Sequence, residues 1–208
     1  MLYQFKGTEE LSHSYLICRY GHCLLIDPAH SLDQILAKLG DQMLDGILVT
    51  HAHSDHVHLL HNFDVPVYIH QDDAALLFED QYNGYNQEKE KRQFKRKDLK
   101  LHLLKDGDVI QLSDKVVKVI STPGHTKGSV SFLFENYIFT GDTLFKDSVG
   151  RHDLYSGNIY DLKRSILKLI DELPSDTKIY PGHDESSTIR NERKSNPFYI
   201  KWKKQGKI

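Results

Sequence analysis

The sequence has little cysteine, no dominant charge and no long apolar run, and each absence removes a class of protein. Cys18 and Cys23 are the only cysteines in 208 residues, too few for a disulfide-built scaffold and poorly spaced for a zinc knuckle. They flank a turn at Tyr20-Gly21-His22. A disulfide between them is conceivable, but the expected state in a reducing compartment is a pair of half-buried free thiols. Lys and Arg (27) nearly balance Asp and Glu (29), for a formal charge of −2, so the whole-molecule field offers no grip on nucleic acid or an anionic membrane. No early stretch forms the apolar core of a signal peptide, and none nears the ~20 apolar residues that span a bilayer. The expected location is the cytoplasm, with no membrane partner. Short-period repeats, low-complexity tracts and linkers are also missing, so residues 1–208 are expected to fold as one domain.

What is present is ordinary in bulk and unusual in one place. Hydrophobic residues make up 39% and charged residues 27%, enough for a substantial core. The unusual place is Gly46-Ile47-Leu48-Val49-Thr50-His51-Ala52-His53-Ser54-Asp55-His56. A short apolar strand ends, and four residues with metal-ligand chemistry follow within six positions. Imidazole nitrogen and carboxylate oxygen suit borderline divalent ions such as zinc. His51 and His53 can share one ion, while Asp55 and His56 turn toward a second. A chain with 13 histidines will scatter some by chance, but chance rarely produces H-x-H-x-D-H behind a buried strand.

Four ligands cannot complete two coordination spheres, so others are expected at the ends of distant strands. Three loops supply them. His125 follows the strand ending at Ile120, inside Thr122-Pro123-Gly124-His125. Asp142 lies in Thr140-Gly141-Asp142-Thr143, and His183 in Tyr180-Pro181-Gly182-His183. A Gly-His or Gly-Asp pair alone is usually turn chemistry. Three such loops, each leaving a strand and each carrying one ligand type, read as parts of one site.

Around these loops the apolar periodicity predicts a hairpin over 14–27, a helix over 31–39, the motif strand at 46–49, a short helix over 57–63 and a strand at 67–69. A helix at 72–80 leads into a segment, 81–100, with little sign of order. Strands follow at 101–104, 109–112, 116–120, 129–134 and 137–140, then a helix at 160–173, a strand at 178–180 and a last helix at 187–195. Both halves run from strands to helix and strand, which places two sheets face to face with helices outside. Residues 88–100 carry seven basic and three acidic side chains, expected to be a solvated helical face or exposed loop rather than an electrostatic handle for an anionic substrate or RNA.

The series T-H-A-H-S-D-H, T-P-G-H-T-K-G-S, F-T-G-D-T-L-F and P-G-H resembles the metallo-β-lactamase superfamily, over about residues 3–197. The resemblance implies an α+β, αββα four-layer sandwich. Two further segments, residues 141–154 and 181–198, resemble the short bacterial relatives of glyoxalase II, the hydroxyacylglutathione hydrolases. Position by position, the resemblance implies one ion held by His51, His53 and His125, a second held by Asp55, His56 and His183, and Asp142 bridging both. Zinc is the first expectation, with iron or manganese accepted by the same donors. Asp27 would support the site from behind. Three departures stand out: Val57, His58 and Leu59 where glycines often follow the first motif, Ala29 where glycine is common, and no counterpart to the C-terminal helical domain that contacts glutathione in full-length glyoxalase II.

Two ions sharing a water lower its pKa from about 15.7 toward 7, so the expected chemistry is hydrolysis, with Asp55 orienting the nucleophile. A thioester suits this apparatus because a thiolate leaves without much acid help. Arg151, His152 and Tyr155 could bind the carboxylates of the thiol carrier, although Arg151 could equally be spent on a structural ion pair. The expected substrate is thus an S-2-hydroxyacyl thiol such as S-lactoylglutathione. A second reading is a persulfide dioxygenase with one iron on His51, His125 and Asp142. A third, less favoured, is a nuclease, prompted by the basic run and by Lys201, Trp202, Lys203 and Lys204. The oligomeric state is left open.

Overall fold

A computed structural model describes residues 1–8 and 10–206. Six strands build the first sheet: β1 (Leu2–Phe5), β2 (Ser14–Arg19), β3 (His22–Ile26), β4 (Met43–Leu48), β5 (Pro66–His70) and β6 (Lys100–Leu104), hydrogen-bonded in chain order. β7 (Val109–Leu112), β8 (Lys115–Ser121), β9 (Val130–Phe134) and β10 (Tyr137–Gly141) begin the second. A short ribbon of β11 (Leu144–Phe145) and β12 (Ser148–Val149) intervenes, and β13 (Lys178–Pro181) and β14 (Ser187–Thr188) complete the order β14-β13-β10-β9-β8-β7. The helices are α1 (Leu32–Leu39), α2 (Ser54–Val57), α3 (Ile159–Glu172), α4 (Ile189–Ser195) and α5 (Pro197–Lys204).

Alternation along the strands makes the layers. Tyr15, Ile17, Leu24, Ile26 and Leu48 point from the first sheet into a shared core with Val117, Val119, Val130, Phe132 and Phe139 from the second. The alternate residues Leu16, Leu25, Ile47 and Val49 pack outward against Ile35 of α1 and the segment 57–94. On the far side, Ile138 and Ile179 meet Leu162, Ile166 and Leu169 of α3 and Trp202 of α5. A period of two on each strand, buried on both faces, thus yields four layers, the expected αββα sandwich. No helix among the described residues is long and apolar enough to cross a membrane.

Several local expectations are corrected. Cys18 and Cys23 are cross-strand partners with Cα atoms 4.1 Å apart and form a disulfide instead of two free thiols; hairpin register, which the spacing alone does not give, brings the sulfurs together. The helix expected over 57–63 is α2, starting at Ser54, followed by a 3₁₀ turn at Leu60–Asn62. The helix expected at 72–80 shrinks to a 3₁₀ turn at Leu76–Phe78, because the Asn83 amide takes the carbonyls of Leu76 (2.9 Å) and Leu77 (3.2 Å). Nor is the following segment loose: Phe94 is buried, and Arg92 reaches Asp80 (2.7 Å) and lies over the rings of Phe78 and Phe94. α5 was not expected. Asn196 caps it through Phe198 N and Tyr199 N, with Pro197 in its first turn.

Candidate metal centre

The four ligand-bearing loops meet at one edge of the sandwich, where β4, β8, β10 and β13 end. His53 stands at the N-cap position of α2 with its side chain free of any capping bond, so Asp55 and His56 lie in the helix's single turn. His125 follows a turn that only glycine can make: Gly124 has φ 138°, and a Cβ there would lie 2.3 Å from the Leu162 backbone. Gly182 is required for a different reason, since a Cβ would sit 2.4 Å from Asp142 Oδ1 and 2.6 Å from His56 Cε1.

All seven side chains singled out in the sequence come together here. His51, His53 and His125 form one group with donor atoms within 4.8 Å of one another, and Asp55, His56 and His183 form another. His51, His56 and Asp142 make a third that joins them. His125 Nε2 and His53 Nδ1 lie 2.8 Å apart. His183 Nε2 is 3.1 Å from Asp55 Oδ2, and His56 Nε2 is 3.2 Å from Asp142 Oδ1. Asp142 Oδ2 stands 3.7 Å from both His125 Nε2 and His183 Nε2.

The donors fit a cation better than they fit each other. His51 Nε2, His53 Nε2, His56 Nε2 and Asp142 Oδ1 are buried without a hydrogen-bond partner, although buried polar atoms are nearly always paired. Burial, reinforced by the neighbouring imidazoles, holds His51 well below the usual histidine range and His53 down to about 4. Both rings are therefore neutral, as a ligand must be. Around the second group the balance reverses: burial opposes charge on His56, yet Asp55, Asp142 and Asp27 outweigh it and raise its pKa well above the usual value. Burial likewise opposes charge on Asp142, but His56 and the other imidazoles hold it ionised. The site favours positive charge.

Outer contacts orient the ligands. Asp27, at the end of β3 with φ 47°, accepts Thr50 N (2.8 Å), Thr50 Oγ1 (2.6 Å) and His56 Nδ1 (2.9 Å). His56 Nδ1 thus holds its proton, and Nε2 is the nitrogen whose proton a cation would displace. His125 Nδ1 donates to Arg151 O (2.7 Å) with the same result.

A cleft of about 620 Å³ opens onto His53, Asp55, His125 and Asp142. Arg151 and Tyr155 line it; His152 does not. The Arg151 guanidinium is held by Asp153 through Nε (2.9 Å) and Nη2 (3.0 Å), and Tyr155 stacks on Tyr82 with centroids 4.1 Å apart. Residues 81–84 and 86–88 also line the cleft, within a segment whose sequence shows little sign of order. Its Glu88 accepts a hydrogen bond from Ser54 Oγ (3.0 Å). Gly84 and Asn86 are the features of that segment that stand out in the sequence, and neither points to a cleft. His58, which stands where glycine often follows the first motif, does not line the cleft: it stacks on Tyr85 (5.3 Å) and donates to Ser54 O (2.7 Å).

A family model described as the metallo-beta-lactamase superfamily matches residues 7–183. Similar proteins include one from Aquifex aeolicus, 38% identical over 86% of this chain and 86% of its own length, and a probable metallo-hydrolase from Streptococcus pyogenes, 33% identical over 90% and 85%. Among solved structures, BLEG-1, a B3 metallo-β-lactamase, superposes with a TM-score of 0.85 at 30% identity over 96% of this chain and 99% of its own. TTHA1623 in a di-iron-bound form does so with a TM-score of 0.79 at 29% identity, over 94% and 99%.

Proposed function

The chain belongs to the metallo-β-lactamase superfamily, and from that premise we propose that it is a dinuclear metal-dependent hydrolase of glyoxalase II-like specificity, cleaving S-2-hydroxyacyl thioesters such as S-lactoylglutathione. The observation that carries the reading is the convergence of seven donor residues, four of whose side-chain atoms are buried with no partner. His51, His53 and His125 would hold one ion, Asp55, His56 and His183 the other, and Asp142 would serve both. When bound, such ions supply a hydroxide at neutral pH and an electrophile for a carbonyl oxygen.

The protein's own groups do the rest. Asp55 faces both the ligand cluster and the cleft, so its carboxylate can accept a hydrogen bond from the attacking water and hold it in line with the carbonyl carbon. A thiolate leaving group needs no proton in the transition state, and the cleft presents no cysteine or lysine to provide one. The stacked Tyr82 and Tyr155 form an apolar lip against which the thiol carrier can lie, and Arg151 at the same lip can meet its carboxylate in exchange for Asp153. The donors accept iron as readily as zinc, and the di-iron form of TTHA1623 supports including both.

The test combines elemental analysis with a substrate panel on one preparation. Two ions per chain and chelator-sensitive hydrolysis of S-lactoylglutathione are expected. Two ions with no turnover of any thioester would refute the substrate class. β-Lactams are the second class to assay, because the similarity to BLEG-1 covers nearly its whole length. One iron per chain with oxygen uptake on glutathione persulfide would replace the hydrolase with the dioxygenase.

A further inference from the structure

Different groups tie together the two halves of the donor set. Asp73, fully buried after β5, accepts Ala52 N (3.0 Å) and Thr126 Oγ1 (2.8 Å) on Oδ2 and Gly128 N (2.8 Å) on Oδ1. Ala52 stands between His51 and His53, and Thr126 follows His125. A single carboxylate therefore links the loops that carry the three histidines of the first group. The fit is close, since a Cβ on Gly128 would lie 2.6 Å from Asp73 Oδ1.

The segment entering β2 does the same for the second group. Ser12 donates to Asp55 O from its backbone N (3.2 Å) and its Oγ (3.0 Å). His13 N donates to Gly182 O (2.6 Å). Its ring accepts Gly7 N on Nδ1 (2.7 Å), which fixes the proton on Nε2, and Nε2 donates to Asp184 O (2.8 Å). Tyr15 OH, buried in the core, donates to Pro181 O (2.5 Å). Asp55 on one side and the residues around His183 on the other are bound to Ser12, His13 and Tyr15, none of which has ligand geometry or lines the cleft. Among the described residues, Asp73 makes no hydrogen bond to the 181–184 loop and the 12–15 segment makes none to the His125 loop.

We propose that these are two separate positioning devices: Asp73 sets the affinity of the ion at His51, His53 and His125, and Ser12, His13 and Tyr15 set the affinity of the ion at Asp55, His56 and His183. The inference rests on the dinuclear reading and extends it to how each half is held. Each device orders two loops before any ion arrives, so coordination does not have to bear that entropy itself. Removing one device loosens one coordination sphere and leaves the other in register. The two affinities are thus separately tunable from positions that touch neither ion nor substrate.

The test is a zinc titration of the full chain against a competing chelator, followed by NMR of the imidazole nitrogens, which reports His51, His53 and His125 separately from His56 and His183. Tyr15→Phe and His13→Ala are each expected to weaken the second ion by about tenfold or more, with the first within about twofold. Asp73→Asn is expected to do the reverse, since its amide must oppose one of three donors. Should that variant fail to fold, Thr126→Val removes one of the three bonds and takes its place. Variants that weaken both ions alike, or neither, overturn the proposal. A wild-type chain whose His56 and His183 signals never respond to zinc would instead overturn the dinuclear reading, and the proposal with it.

Discussion

Asp27→Asn is a small change with a large expected effect on one ion. Asp27 Oδ1 accepts Thr50 N, while Oδ2 accepts both Thr50 Oγ1 and His56 Nδ1. An asparagine tolerates the left-handed backbone at this position at least as well as aspartate, so the conformation stays and only hydrogen bonding changes. With its NH₂ toward Thr50 N, two donors would oppose each other. With its NH₂ at the Oδ2 position, the Thr50 hydroxyl can rotate and accept. His56 has no such freedom: to present Nε2 to a cation it must keep the proton on Nδ1, which then faces another donor. One buried opposed donor costs about 1–3 kcal/mol, or about 5- to 150-fold in affinity. In a chelator-competition titration with zinc, one stepwise constant should weaken by that factor, and the ion-bound thermal midpoint should fall with it. Two unchanged constants would show that the Nδ1–H of His56 needs no acceptor, and the orienting role argued for Asp27 would be wrong.

Three further outcomes are expected. Gly182→Ala should lower affinity for the second ion by about tenfold or more, because its methyl would occupy space 2.4 Å from Asp142 Oδ1; metal content after dialysis reads it. Trp202→Ala should cost about 3–5 kcal/mol in urea unfolding, since the indole is only 7% exposed against α3, with both metal affinities kept. Tyr82→Ala should raise KM for a thioester about 2- to 10-fold, the worth of one aromatic pair, and leave kcat near its wild-type value.

The sequence by itself determined the candidate ligand set and the layers. H-x-H-x-D-H behind an apolar strand, and three Gly-His or Gly-Asp loops at strand ends, are local signals, because both strand alternation and tight turns are fixed by near neighbours. What lay outside them required the fold. The hydrogen bonds that Asp73, Ser12, His13 and Tyr15 make to the ligand-bearing loops join residues from 21 to 171 positions apart in the chain, by way of side chains whose types occur at many innocent sites. The segment at 81–88 shows little sign of order in the sequence, and nothing in its pattern distinguishes solvent from a cleft. Likewise the pairing of Cys18 with Cys23 turned on strand register, and the short turns at 57–63 and 72–80 on side chains such as Asn83 that replaced helical hydrogen bonds. Chemistry that resides in a side chain can be read from its letter, whereas chemistry that depends on which backbone carbonyl lies opposite exists only once the loops have closed.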